Sequence, residues 1–206
     1  MLRTMLGAMS LMQLVKQFGS TRRFCLGLMV VGQGVLWWRA IYWYPQLPER
    51  FPIHFNFAGE PDGWADKSIA MWLMLPGISL VMLAFLGGIS YWMGSLVRNT
   101  PGLVNVPRKD LFVKMSVAGR MTVVAPTQTF LAWVLALMTF LFVWIVEGTG
   151  RVAVHEDATV AVWPVFIFLV GVLGVLPFYW VATSRRLTDA AMREGLIPRP
   201  SNNAVS

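Results

Sequence analysis

MTVVAPTQTFLAWVLALMTFLFVWIV, residues 121–146, contains no charged side chain. A helix rises about 1.5 Å per residue and the hydrocarbon core of a bilayer is about 30 Å thick, so roughly 20 apolar residues suffice to cross it. Residues 69–97 and 158–184 are likewise free of charge and slightly longer. Phe24 to Tyr44 is interrupted by Arg39. That arginine lies near one end of the segment, where a long stem can carry its charge to the headgroups. The expectation is an all-α integral membrane protein with four transmembrane helices at about 24–44, 70–96, 124–146 and 160–183. They form a membrane domain over 24–184, flanked by a cytoplasmic or interfacial segment (1–23) and a cytoplasmic tail (185–206).

Lys and Arg are retained on the cytoplasmic side during insertion. Arg3, Lys16, Arg22 and Arg23 precede the first span, and Arg98, Arg108, Lys109, Lys114 and Arg120 follow the second. Arg185, Arg186, Arg193 and Arg199 follow the fourth, so these three segments hold thirteen of the seventeen basic residues. The other two connections hold Arg50, Lys67 and Arg151 together with seven of the ten acids. Both termini are therefore expected inside. Trp37, Trp38, Trp43, Trp72, Trp144 and Trp163 fall toward the outer ends, and Trp92 and Trp180 toward the inner ends, as interfacial belts require. Trp133 fits neither belt.

The net charge of +7 is divided among three segments beside spans, where it sets topology and attracts anionic headgroups. It does not indicate a nucleic-acid partner. Cys25, the single cysteine, has no disulfide partner and reads as a small membrane-facing hydrophobe. The paired Arg22 and Arg23 resemble an export signal, but the apolar run after them ends in WWRAIYWYP rather than in small residues suited to cleavage. Met1–Phe18 has apolar residues at nearly helical spacing, which suits a short interfacial helix. An extension from an upstream start codon explains it equally.

Polar residues within the spans are Gln33, Ser79, Ser90, Thr127, Gln128, Thr129 and Thr139. Their expected role is hydrogen bonding to carbonyls or to neighbouring helices. No ionisable group lies at mid-depth, which disfavours coupled transport. Pro76, Pro126, Pro164 and Pro177 are expected near span ends, where a missing N–H disrupts least. Ala84 with Gly88, and Ser90 with Gly94, put small residues four apart on the second span, a pattern that suits close packing within or between chains.

Between the first two spans lies YPQLPERFPIHFNFAGEPDGWADKS, residues 44–68, with four prolines, two glycines and six charged groups. Prolines restrict it, NFAGEPDGW offers an Asp-Gly turn signal, and FPIHFNF alternates as a short extended piece would. Phe51, Phe55, Phe57 and Trp64 would serve no purpose in a flexible tether. The expectation is an ordered extracytoplasmic cap, with His54 and Asn56 orienting its polar interior, Gly59 permitting its turn, and Trp64 and the phenylalanines seating it on the helices.

LPERFPIHFNFAGEPDGWADK resembles the signature of a bacterial membrane domain of unknown function found in the N-terminal part of Sdp-type immunity proteins. That pattern runs roughly L-P-x-x-[IF]-P-x-H-[FW]-N-x-x-G-x-x-D-x-W-x-x-K. Leu47, Pro48, Pro52, His54, Phe55, Asn56, Gly59, Asp62, Trp64 and Lys67 match it. VNVPRKDLF is similar to an N-[IV]-P-N-[KR] element of the same proteins: Asn105, Pro107 and Lys109 match, Arg108 replaces Asn, and Phe112 stands where an aromatic is expected. The resemblance covers roughly Phe24 to Phe112. It implies a protein of the bacterial cytoplasmic membrane and points toward immunity to a peptide toxin or signal relay to a regulator.

His54 with Glu60, Asp62 and Asp66 could in principle form an acid–base pair or bind a metal. One histidine among scattered acids lacks the paired His or Cys spacing of such sites, so the expected role of His54 is to tie the loop together by hydrogen bonds. No nucleophile elbow, phosphate loop or cofactor fingerprint is present. No enzyme activity, metal or cofactor is expected. The expected partners are the lipid bilayer and a peptide or another membrane protein, including a second copy of the chain. Either the cap recognises a ligand at the outer face, or the chain is an accessory subunit stabilising a larger membrane complex.

Overall fold

The computed structural model describes residues 11–155 and 159–198. The first residues of the expected interfacial helix, Glu156, Asp157 and the end of the C-terminal tail lie outside them. The chain is mostly helical: α1 (Leu11–Trp43), α2 (Ile69–Trp72), α3 (Met74–Asn99), α4 (Lys109–Lys114), α5 (Val117–Val154) and α6 (Trp163–Arg193). Four stretches, Gly19–Gln46, Met74–Asn99, Val117–Val154 and Trp163–Arg193, are long and apolar enough to cross a membrane. Four such helices make this a multi-pass membrane protein.

Two features depart from an all-helical reading. β1 (Arg50–Phe55) and β2 (Pro61–Asp66) form an antiparallel hairpin between α1 and α2. The β-branched and aromatic residues of FPIHF favour the extended state, and pairing satisfies their backbone polar groups. In addition, Pro126 and Pro177 lie inside α5 and α6, because both helices continue well past the ends of their apolar runs.

The chain folds as two compact units. One comprises residues 88–131, 176 onward and the chain up to Arg22. Its core joins Val97, Val104, Leu111, Phe112 and Met115 to Val123 and Val124 of α5 and Leu187, Ala190 and Ala191 of α6. The end of α6 is closed by Gly195 at φ +72°, with Leu196 N donating to Ala191 O at 2.9 Å. This is the left-handed glycine stop that satisfies late helical carbonyls.

The second unit comprises residues 23–87 and 132–175. One core cluster contains Leu36, Ala40 and Trp43 of α1, Leu47, Phe51, Trp72 and Val146. The other packs Cys25 and Met29 against Ala132, Leu135 and Ala136. Cys25 is thus 1% exposed and faces the bundle rather than the lipid. Its small thiol suits close contact with the alanines of α5. Helices α1, α3 and α5 are joined by a polar node: Gln33 Nε2 donates to Ser79 Oγ at 2.5 Å and to Thr139 Oγ1 at 3.4 Å. Trp133 Nε1 donates to Gly171 O at 3.2 Å, which gives this residue a helix-to-helix role where no interfacial one was available.

Candidate functional site

The hairpin is built on the second unit from both ends of its loop. Leu47 is buried, and Lys67 reaches back so that Nζ donates to Leu47 O at 2.7 Å while lying 5.4 Å from the Tyr44 ring centroid. Lys67 N also donates to Glu49 O at 2.7 Å, closing the base. Pro48 is exposed there.

Pairing is irregular between Pro52 and His54 and again between His54 and Phe55. A bulge interrupts the alternation of strand side chains, and here consecutive residues Phe51 and Pro52 are both buried. Phe51 meets Trp72 edge to face at 5.5 Å, and Trp72 Nε1 donates to Ala40 O at 2.7 Å. Phe51 and Pro52 therefore seat the hairpin. Trp64, expected in that role, is 47% exposed opposite Pro52, and Phe57 at the tip is 94% exposed. Phe55 is half-buried and lines, with Phe51, Pro52 and Trp72, an apolar cavity of about 60 Å³.

The turn does not lie at Asp62–Gly63, which is inside β2. Gly63 instead lets the strands approach, since a Cβ there would come within 2.9 Å of His54 Cβ. The turn is organised by Asn56, whose Oδ1 accepts from Ala58 N at 2.9 Å and Glu60 N at 3.1 Å. Its backbone exchanges bonds with Gly59 and Glu60. Asn and Asp side chains stabilise turns in this way. Gly59 has φ +80°, and a Cβ there would land on the carbonyl oxygen of Val160. Val160 N donates to Gly59 O at 2.9 Å, tying the turn to the segment before α6.

His54 Nδ1 and Asp62 Oδ1 are 2.5 Å apart on the exposed face. Glu60 bonds Asn56 and Asp66 lies 3.6 Å from Arg50 Nε, so neither converges on His54. Among the described residues, no group of three His, Cys, Asp or Glu side chains could hold a metal ion.

A second polar cluster escaped the sequence. Arg39 does not snorkel: its Nε donates to Glu147 Oε2 at 2.6 Å, and its guanidinium stacks 4.5 Å from the Tyr42 ring centroid. Trp43 Nε1 donates to the same oxygen at 2.9 Å, and Arg151 Nε to Oε1 at 2.9 Å. Glu147 thereby accepts from three donors on two helices, the arrangement that offsets the desolvation of a largely buried charge. The one sequence signal was the presence of opposite charges at the corresponding ends of the first and third apolar runs.

In the other unit, Pro107 and Arg108 form the turn before α4, Asn105 is exposed and Lys109 opens the helix. Arg108 has φ 49° and ψ 52°. Among non-glycine residues asparagine tolerates this left-handed region best, which explains why the similar element carries Asn there. Phe112, fully buried, anchors the segment to the core. Glu194 caps the start of α5: Oε2 accepts from Ser116 N at 2.8 Å and Oε1 from Ser116 Oγ at 2.6 Å. These two bonds hold the Glu194 carboxyl below its usual range.

Residues 34–80 match the Domain of unknown function (DUF1648). The DUF1648 region begins in α1, contains the whole hairpin and ends in α3. Eighty-seven residues, 42% of the chain, are 30% identical to an uncharacterized protein of Archaeoglobus fulgidus. They cover 46% of that relative, so the chain spans less than half of its length. No solved structure matches the chain.

Proposed function

We propose that the chain is a non-enzymatic protein of the bacterial cytoplasmic membrane, similar to Sdp-type immunity proteins, with both termini inside. Its loop 44–68 is a recognition cap that binds a peptide, lipid or protein partner at the outer face. The observation that carries this proposal is the division of labour across the hairpin. Phe51 and Pro52 seat it, whereas Phe57 at the tip and Trp64 remain 94% and 47% exposed, and Trp64 shares the exposed face of β2 with Asp62, the partner of His54. Aromatic groups next to a polar pair are the usual material of a binding surface. Phosphatase and fluorescent reporters fused after Asp66, Lys109, Glu156 and the C-terminus should read out, in, out and in. A cytoplasmic Asp66 would overturn the proposal. Replacing Pro48–Lys67 by a Gly-Ser linker should leave membrane insertion intact and abolish the phenotype of the wild-type gene.

A second reading, accessory subunit of a larger complex, is favoured by α3. A Cβ on Gly87 or Gly88 would meet nothing within 4 Å, so these two glycines of α3 are not in close contact with another helix of the chain. Copurification from native membranes at fixed stoichiometry, undiminished by the linker replacement, would favour it over the cap.

A further inference from the structure

The tip of the hairpin has a fixed height on α5. Val160 N donates to Gly59 O at 2.9 Å, and a Cβ on Gly148 would come within 2.9 Å of Val160 Cγ1. The next carbonyl, that of Ala161, accepts from Trp144 Nε1 at 3.0 Å. Trp144 and Gly148 straddle Val146, the last residue of the charge-free run 121–146, and lie about 6 Å apart along the helix axis. Val160 and the turn bound to it therefore sit where the hydrocarbon ends. The interfacial layer beyond the hydrocarbon is roughly 5–8 Å deep on each side, so the turn falls within it. The Trp144 and Trp163 rings, 5.4 Å apart between centroids, occupy the same level, as indoles of an interfacial belt do. Phe57 precedes Gly59 by two residues in a turn closed by the bond from Gly59 N to Asn56 O, so its Cα lies within about 7 Å of Gly59. Its ring is almost fully exposed and Ala58 beside it is exposed as well, whereas Gly59 is buried. The tip thus presents an apolar dipeptide at the bilayer boundary.

We propose that Phe57 inserts into the interfacial layer of the adjacent leaflet, so that the hairpin is held by the helices through Phe51 and Pro52 and by lipid through its tip. The inference rests on the cap reading and names the partner of the tip. A ligand arriving from water meets the cap from above, whereas a ring at this height meets lipid first. Insertion removes the apolar ring from water and leaves His54, Asp62 and Trp64 as the surface for a ligand.

The test uses the full chain in nanodiscs of phosphatidylglycerol and phosphatidylcholine. In a Cys25→Ala background, a nitroxide is attached at Phe57→Cys, at Val170→Cys within the charge-free run of α6, and at Asp66→Cys, whose charged side chain is exposed. Collisions with oxygen, which concentrates in lipid, and with a water-soluble nickel chelate report the depth of each label. The label at position 57 should meet the chelate less often than that at 66 and oxygen more often. Chelate access at 57 equal to that at 66 would overturn the proposal. Unlabelled Phe57→Ser should speed amide exchange at Gly59 and Val160 about tenfold, the change expected when roughly half the burial of one phenylalanine is lost, and Phe57→Trp should not. A side chain so exposed has almost no contact with the rest of the chain, so in pure lipid this effect reports the bilayer alone. Equal exchange in wild type and Phe57→Ser would also overturn the proposal. The reporter fused after Asp66 reads the side of the membrane independently: a cytoplasmic Asp66 overturns the cap reading, whereas a chelate-accessible position 57 overturns only the insertion of its tip.

Discussion

Gly59 and Val160, about a hundred residues apart in the chain, meet so closely that the Val160 carbonyl occupies the space a Cβ on residue 59 would need. With φ at +80°, the position is closed to other residues on two independent grounds. Gly59→Ala should destabilise the protein by roughly 2 kcal/mol or more, combining left-handed strain with displacement of Val160. Thermal unfolding in detergent measures this, and limited proteolysis should show new cleavage within 50–66.

Arg39 and Glu147 should behave as a coupled unit. Each side chain is about four-fifths buried, so Arg39→Gln or Glu147→Gln should each cost about 2–3 kcal/mol. The double variant should cost clearly less than the sum of the two single changes, as expected when one change already abolishes the shared contact. Additive losses in a double-mutant cycle would show that the pair contributes nothing of its own.

Both relationships explain how far the sequence could be read. His54 and Asp62 lie eight residues apart in one short loop, so their hydrogen bond follows from proximity. The apolar runs are legible for the same reason: membrane burial acts on each segment locally. Arg39 and Glu147 are 108 residues apart, and a charge near a span end looks alike whether it snorkels or meets a partner on another helix. The hairpin was only half legible. Asp-Gly is a strong turn signal, but Asn56 supplies three bonds that place the turn earlier and leave Gly63 to accommodate His54. Bulged pairing then buries Phe51 and Pro52 together, a departure from alternation that no period-2 pattern reveals.

Arg108 holds a conformation that costs an ordinary side chain roughly 1 kcal/mol. Arg108→Asn or Arg108→Gly should therefore raise stability by up to about 1 kcal/mol. An increase in unfolding temperature for both variants, with Arg108→Ala unchanged or lower, would separate backbone relief from loss of charge.

Glu194 makes stability depend on acid. Its carboxyl is held below the usual value by the Ser116 bonds, so the folded state favours the charged form. That contribution is fully present above the unfolded pKa, about 4.3, and is lost as pH falls through the lower folded value. Glu194→Gln should be less stable than the wild type at neutral pH, and the difference should shrink below about pH 4 as wild-type Glu194 protonates. A difference independent of pH would place the loss in shape rather than charge.

Hydrogen exchange in nanodiscs tests the folded cap most directly. The amides of Asn56, Gly59, Lys67 and Val160 each donate to a backbone carbonyl between 2.7 and 2.9 Å away. A cap seated by Phe51 and Pro52 should protect all four by roughly a hundredfold or more, because exchange then requires opening of the hairpin as a unit. Exchange of these four amides at the rate of an unstructured chain would contradict the account.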